Sequence, residues 1–220
     1  MLQRLTLPLT IPNYIEVWQF DFDFRIPLQN ADWVLLNESE RAYAMRFHVR
    51  DDQVRSIATR AVLRRLLGEK TLVSPKQLRF VTNESGKPGL QGNNRIKFNV
   101  SHSGAYALIA LSTSSEVGID IERHNYQLDT IRLSQLVFTP VEQQLGLKVT
   151  RRFTEQWVLK ESVLKALGVG ITNHLQAVSI VPDDVDGEYS VINTNPAWQK
   201  IKAWLIDSPT GYASAIAVVL

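Results

Sequence analysis

The 220 residues carry a formal net charge of +2, are 45% hydrophobic and include five Trp, six Tyr and eight Phe, enough for a sizeable core and too apolar for intrinsic disorder. The absence of cysteine excludes disulfides, thiolate metal sites, iron–sulfur clusters and a Cys nucleophile. The small net charge makes no case for nucleic-acid binding, and no run reaches 18 apolar residues. The opening Met1-Leu2-Gln3-Arg4, followed by Pro8 and Pro12, lacks the pattern of a secretory signal, so a cytoplasmic protein without a membrane segment is expected.

In chain order, a strand is predicted near 15–22, then a loop containing Pro27. Helices follow near 37–47 and 52–68, the second with Ile57, Ala58, Ala61, Val62 and Leu66 at helical spacing and Gly68 as its stop. Charge is concentrated here: residues 41–70 hold eight basic and three acidic residues, +5 against −3 for the rest of the chain. That suits a phosphate-bearing ligand or an acidic protein partner, or is simply a solvated helix face.

Leu78 to Val81 reads as a strand, and the turn formers of 83–89 as a loop. Strands are predicted at 96–100 and 105–112 around a Ser101–Gly104 turn, and a third at 117–122. Helices are predicted at 129–138 and 151–167, and strands at 177–181, 189–193, 200–206 and 212–219. Runs of strands and helices without a regular βαβ wind predict an α+β fold, with its weakest break at Thr113–Glu116.

Three segments could carry chemistry. In Gly118-Ile119-Asp120-Ile121-Glu122, strand alternation places Asp120 and Glu122 on one face and the isoleucines in the core. Two adjacent carboxylates repel, and a hard cation such as Mg²⁺ would relieve them; two solvent-facing acids on an edge strand are the plainer alternative. On a helix, Trp157, Glu161 and Lys165 share one stripe, offering a third carboxylate and a cation one turn apart, or an ordinary surface ion pair. Phe98-Asn99-Val100-Ser101-His102-Ser103-Gly104 offers a hydroxyl, an imidazole and turn N–H groups as an anion cradle. A Ser–His hydrolase there would need a geometry that adjacent residues rarely reach. Lys87 of Gly86-Lys87-Pro88 could meet a phosphate. Neither G-x-x-x-x-G-K-[ST] nor G-x-G-x-x-G occurs, and none of the four His is spaced as a zinc ligand pair.

Taken in order, Gly86-Lys87-Pro88, Phe98–Gly104, Gly118–Glu122 and Trp157-Val158-Leu159-Lys160-Glu161-Ser162-Val163-Leu164-Lys165 closely resemble the 4′-phosphopantetheinyl transferases, in particular the monomeric, two-lobed type that activates surfactin synthetase. The resemblance runs from the basic helices near residue 40 to Gly168-Val169-Gly170 and fits only loosely after about 175.

It implies two similar α+β lobes related by a pseudo-twofold, with residues 1–113 taking the nucleotide end of coenzyme A and 114–220 carrying the Mg²⁺ carboxylates. It implies transfer of the phosphopantetheine arm of coenzyme A to a serine of an apo acyl or peptidyl carrier protein, releasing adenosine 3′,5′-bisphosphate. Asp120, Glu122 and Glu161 would hold Mg²⁺, and Asp120 would also face the coenzyme A diphosphate. Lys165 would contact that diphosphate and Glu161 would serve as base. Arg55, Lys87, Pro88, Ser101 and His102 would bind the nucleotide. One departure concerns the 3′-phosphate: where the family often has lysines, this sequence has Glu40 and Tyr43, and Arg41 or Arg46 is the substitute. A Mg²⁺-dependent coenzyme A pyrophosphohydrolase and a basic adaptor that merely docks carrier proteins are the alternatives.

Overall fold

The computed structural model describes residues 1–93, 95–146, 153–170, 174–185 and 187–220. Its strands are β1 (Gln3–Arg4), β2 (Ile15–Asp21), β3 (Phe80–Thr82), β4 (Pro88–Leu90), β5 (Lys97–Ser103), β6 (Tyr106–Ser112), β7 (Val117–Arg123), β8 (Val178–Pro182), β9 (Glu188–Asn193), β10 (Ile201–Ile206) and β11 (Tyr212–Val219). Its α-helices are α1 (Glu38–Ala44), α2 (Arg50–Thr71), α3 (Thr130–Val137), α4 (Pro140–Gly146) and α5 (Phe153–Leu167). The fold is α+β, as the sequence predicts. Among the described residues no helix is long and apolar enough to cross a membrane.

Two antiparallel sheets, ordered β1-β2-β6-β5 and β7-β11-β10-β9-β8, organise the chain; β3 and β4 form a separate ribbon. Period-two alternation builds four layers from them. Ala107, Ile109 and Leu111 of β6 meet Val62, Leu63, Leu66 and Leu67 of α2. Ala213, Ala215 and Ala217 of β11 meet Val158, Leu159, Val163 and Leu164 of α5. The residues between them, Leu108 and Ala110, Ile216 and Val218, join Val17, Ile119, Ile121, Trp204 and Ile206 in a core shared by both sheets. Ile11 and Leu7 belong to that core, and Thr10 accepts a hydrogen bond from the Trp204 indole at 3.2 Å. The segment before β2 therefore packs on the second sheet.

Several elements differ from the sequence expectation. α2 runs past Gly68 to Thr71 and ends on Leu72 in the left-handed region (φ 57°); Gly68 instead leaves room for Pro75 and the Val73 carbonyl, which a Cβ would meet at 3.0 Å. The strand expected at 78–81 forms at Phe80–Thr82, and Pro88 and Gly89, expected in a loop, start β4. β5 extends through Ser101, His102 and Ser103, pairing with Leu108, Ala107 and Tyr106 of β6, so the expected Ser101–Gly104 turn narrows to Gly104-Ala105. α4 was not expected, and the start of the helix expected at 151 lies outside the described residues.

Candidate active site at the junction of the two sheets

The site begins at Gly118. A Cβ there would lie 2.0 Å from the Ser162 carbonyl and 2.3 Å from the Ala166 amide. Glycine therefore lets α5 lie directly on β7, and the helix carries Glu161 and Lys165 onto the strand face that bears Asp120 and Glu122. Lys165 Nζ lies 2.5 Å from Asp120 Oδ1 and 3.3 Å from Glu161 Oε2. The alternative of solvent-facing strand acids does not hold for Asp120, which is 1% exposed.

The edge of β7 that faces away from β11 meets β5 through side chains. Asn99 Oδ1 accepts from the Ile119 amide at 2.9 Å, and Ser103 Oγ accepts from the Arg123 amide at 3.1 Å. Ser101 lies between them and donates to Asp120 Oδ1 at 2.7 Å, while Ser103 donates to Glu122 Oε2 at 2.8 Å. Every second residue of β5 thus stands in for a backbone ladder, covering edge donors that would otherwise be unpaired.

The electrostatics follow from crowding three carboxylates around one ammonium. Burial, then the charge of Asp120, pushes the Glu161 carboxyl up to about 7. Burial also raises Glu122, against the Ser103 hydrogen bond. Burial works against the Lys165 charge, but Asp120 and Glu161 outweigh it and hold the ammonium above its usual range. One buried oxygen, Asp120 Oδ2, has no hydrogen-bond partner among the described residues.

Among the described residues, no group of three or more His, Cys, Asp and Glu side chains stands ready to hold a metal ion. The ammonium of Lys165 already lies against two of the three carboxylates. The unpartnered Asp120 oxygen and the excess of negative charge nonetheless fit a divalent cation with oxygen ligands.

On the other face of β5, His102 turns to Phe22, with ring centroids 6.3 Å apart. Its imidazole opens to solvent on one side, yet surrounding protein withdraws enough water to lower its pKa, and the charges of Arg55 and Lys165 act in the same direction. Arg55 lies over Phe24 at 4.9 Å, donates from Nε to the Gly104 carbonyl at 2.8 Å and pairs with Asp52 at 2.7 Å.

Other candidate residues lie apart from this cluster. Lys87 Nζ donates to Glu116 at 2.7 Å and to the carbonyls of Val117 (3.2 Å) and Ala166 (3.1 Å), tying its loop to β7 and to the end of α5. Pro88 lines the recess beside it. Most of the basic segment is neutralised internally: Arg55 by Asp52, Arg60 and Arg64 by Glu40, Arg65 by Asp32, and Lys70 by Glu16. Arg41 donates to the Trp33 carbonyl and Arg50 to those of Phe24 and Ile26. Exposed Arg46 is the one basic residue of 41–70 with no side-chain partner among the described residues.

Sequence reasoning missed Asn99 and Ser103, whose signal was their period-two spacing with Ser101. It also missed Lys160, fully buried in α5, which donates to Glu142 at 2.5 Å and to the carbonyls of Val137, Leu175 and Val178. A cavity of about 810 Å³ opens beside Glu122, walled by Leu133, Val137, Phe153 and Trp157.

Buried carboxylates around a lysine, with an imidazole on the adjoining strand β5 and an α2 arginine held at its hairpin turn, are the equipment of an enzyme that handles phosphate groups. Comparison with known proteins makes the class specific. Residues 29–114 match the N-terminal family model of 4′-phosphopantetheinyl transferases, and residues 116–217 match the model of the 4′-phosphopantetheinyl transferase superfamily. A Synechocystis sp. protein assigned as a 4′-phosphopantetheinyl transferase is 36% identical over 173 residues, covering 76% of this chain and 70% of the relative. The 4′-phosphopantetheinyl transferase HetI of Nostoc sp. is 32% identical over 216 residues (92% and 90%), and the 4′-phosphopantetheinyl transferase of Bacillus subtilis 29% identical over 161 residues (71% and 70%). The chain belongs to the 4′-phosphopantetheinyl transferase superfamily and is a transferase of the phosphopantetheinyl group.

Proposed function

We propose that the chain moves the phosphopantetheine arm of coenzyme A onto a serine of an apo carrier protein, releasing adenosine 3′,5′-bisphosphate, in a Mg²⁺-dependent reaction. The observation that carries the reading is the meeting of Asp120, Glu161 and Lys165 at one point, beside Glu122. In this reading residues 1–113 face the nucleotide end and residues 114–220 the reacting diphosphate, on one chain acting as a monomer in the cytoplasm.

Asp120, Glu122 and Glu161 would hold Mg²⁺, which supplies neutralisation of the diphosphate when bound. Glu161 would take the serine proton as the hydroxyl oxygen attacks the phosphorus bearing the arm. The bond from that phosphorus to the adenosine bisphosphate then breaks, and Lys165, held charged, faces the leaving phosphate. Arg55 and His102 flank the nucleotide, with Arg46 the available cation for its 3′-phosphate. Ser101 serves by orienting Asp120 and Lys165. Lys87 and Pro88 border the nucleotide end, with Lys87 also clamping β7 to α5. The cavity beside Glu122 gives the arm room.

The test is the intact mass of an apo carrier protein incubated with this chain, coenzyme A and Mg²⁺, beside an EDTA control. A gain of one phosphopantetheine arm that EDTA abolishes is expected. Coenzyme A consumed without carrier modification would point to the pyrophosphohydrolase instead.

A further inference from the structure

Tyr212, at the start of β11, has no part in the site as described, yet it connects the site's two sides. It pairs in register with Arg123, and its neighbour Ala213 with Glu122, so its backbone is fixed to the strand of the acids. Its hydroxyl leaves that sheet and accepts a hydrogen bond from the Ala105 amide at 3.1 Å, in the turn of the β5–β6 hairpin. Its ring meets Tyr106 edge-on at 5.1 Å. Gly104 in that turn is in the left-handed region (φ 54°), and a Cβ there would lie 2.3 Å from the Tyr212 hydroxyl oxygen. The same two turn residues accept from Arg55 Nε, through the Gly104 carbonyl at 2.8 Å, and from the Phe22 amide, through the Ala105 carbonyl at 2.9 Å.

We propose that Tyr212 is a positioning residue for the transfer reaction: through the Gly104-Ala105 turn it sets Arg55 and His102, on the first sheet's side, in register with Asp120 and Glu122 on the second. In this turn a side chain from the acid-bearing sheet, the Arg55 guanidinium and the strand of His102 meet. With the hydroxyl removed, the Ala105 amide loses its acceptor, the turn relaxes, and Arg55 and His102 shift relative to the acids. Glycine at 104 is required because the tyrosine oxygen occupies the space a side chain would take. The inference rests on the nucleotide roles proposed for Arg55 and His102.

The experiment compares Tyr212→Phe, Gly104→Ala and the double variant, measuring kcat and KM for coenzyme A with an apo carrier, coenzyme A affinity by calorimetry, and the thermal midpoint. Tyr212→Phe keeps the ring packing and should lower kcat/KM about fivefold, the factor for one lost hydrogen bond. The loss should fall mainly in KM, with little change in midpoint. Gly104→Ala should cost more. In the double variant the nearest obstacle to the new methyl becomes the ring carbon Cζ, at 3.2 Å, so it should outperform Gly104→Ala alone. A Tyr212→Phe enzyme with wild-type KM and affinity overturns the inference, as do strictly additive effects. If Gly104→Ala fails to fold, the KM of Tyr212→Phe decides. Wild-type protein that does not bind coenzyme A would overturn the nucleotide reading and this inference together; wild-type protein that binds and turns it over leaves the variants to judge the inference alone.

Discussion

Lys165 answers two carboxylates at once, with a third nearby and one oxygen of Asp120 without a hydrogen-bond partner among the described residues. A single ammonium does not balance that charge, and the fold compensates by favouring the protonated form of Glu161 up to about pH 7. The sign follows: the folded state holds this proton where the unfolded chain, near 4.5, has released it, so metal-free stability falls as pH rises from about 4.5 to about 7. A cation must displace the same proton. Mg²⁺ affinity should therefore climb as pH rises through about 7 and level off above it, with proton release near neutrality. Calorimetry in two buffers of different ionisation enthalpy checks this, and binding without proton release would contradict it. Asp120→Asn keeps an acceptor for Ser101 while removing the charge. It should lower transfer by at least about a hundredfold with unchanged circular dichroism; a collapsed fold would make Asp120 a structural residue instead.

At the scale of elements, the site depends on how close α5 lies to β7. Gly118→Ala forces the helix away from the strand, because the atoms it meets are backbone. We expect a stability loss of about 1–3 kcal/mol and a fall in kcat larger than the fall in stability explains; denaturant melts and single-turnover rates separate the two. Lys160 holds the same helix from its other side, binding α4 through Glu142, whose carboxylate also accepts from the Thr139 and Ile180 amides. Lys160→Met would strand that carboxylate in the core and should cost about 3–5 kcal/mol, readable as a lower urea midpoint.

β7 and α5 were legible in the sequence because their signals are local: alternation in Val117–Arg123, and helical spacing with an i, i+4 Glu161–Lys165 pair. α4 carries a local signal too, since Thr139-Pro140-Val141-Glu142 is a capping box with proline at the first helical position. The true reach of β5 was not. Asn99, Ser101 and Ser103 look like turn residues until the strand they serve is known, and that strand begins 14 residues beyond Ser103 in the chain. The commitment of Lys87 to Glu116, and of Arg60, Arg64, Arg65 and Lys70 to distant acids, is likewise tertiary and leaves no local trace.

Across the whole molecule, the halves on either side of residues 113–116 share the core between the sheets, where Leu108 and Ala110 from one meet Ile119, Ile216 and Val218 from the other. Neither half retains a buried inner face alone, so the chain should unfold in one calorimetric transition with equal calorimetric and van't Hoff enthalpies. Two resolved transitions would show that the halves are independent.

The placement of the first fifteen residues bears on how the protein is made. Thr10 meets its Trp204 partner, and Leu7 and Ile11 complete their core, only when Trp204 and Ile206 exist. A ribosome that has released β1 to β6 has therefore produced a sheet whose inner face waits for nearly a hundred further residues. During synthesis that face, and not the finished surface, is what chaperones and aggregation compete for.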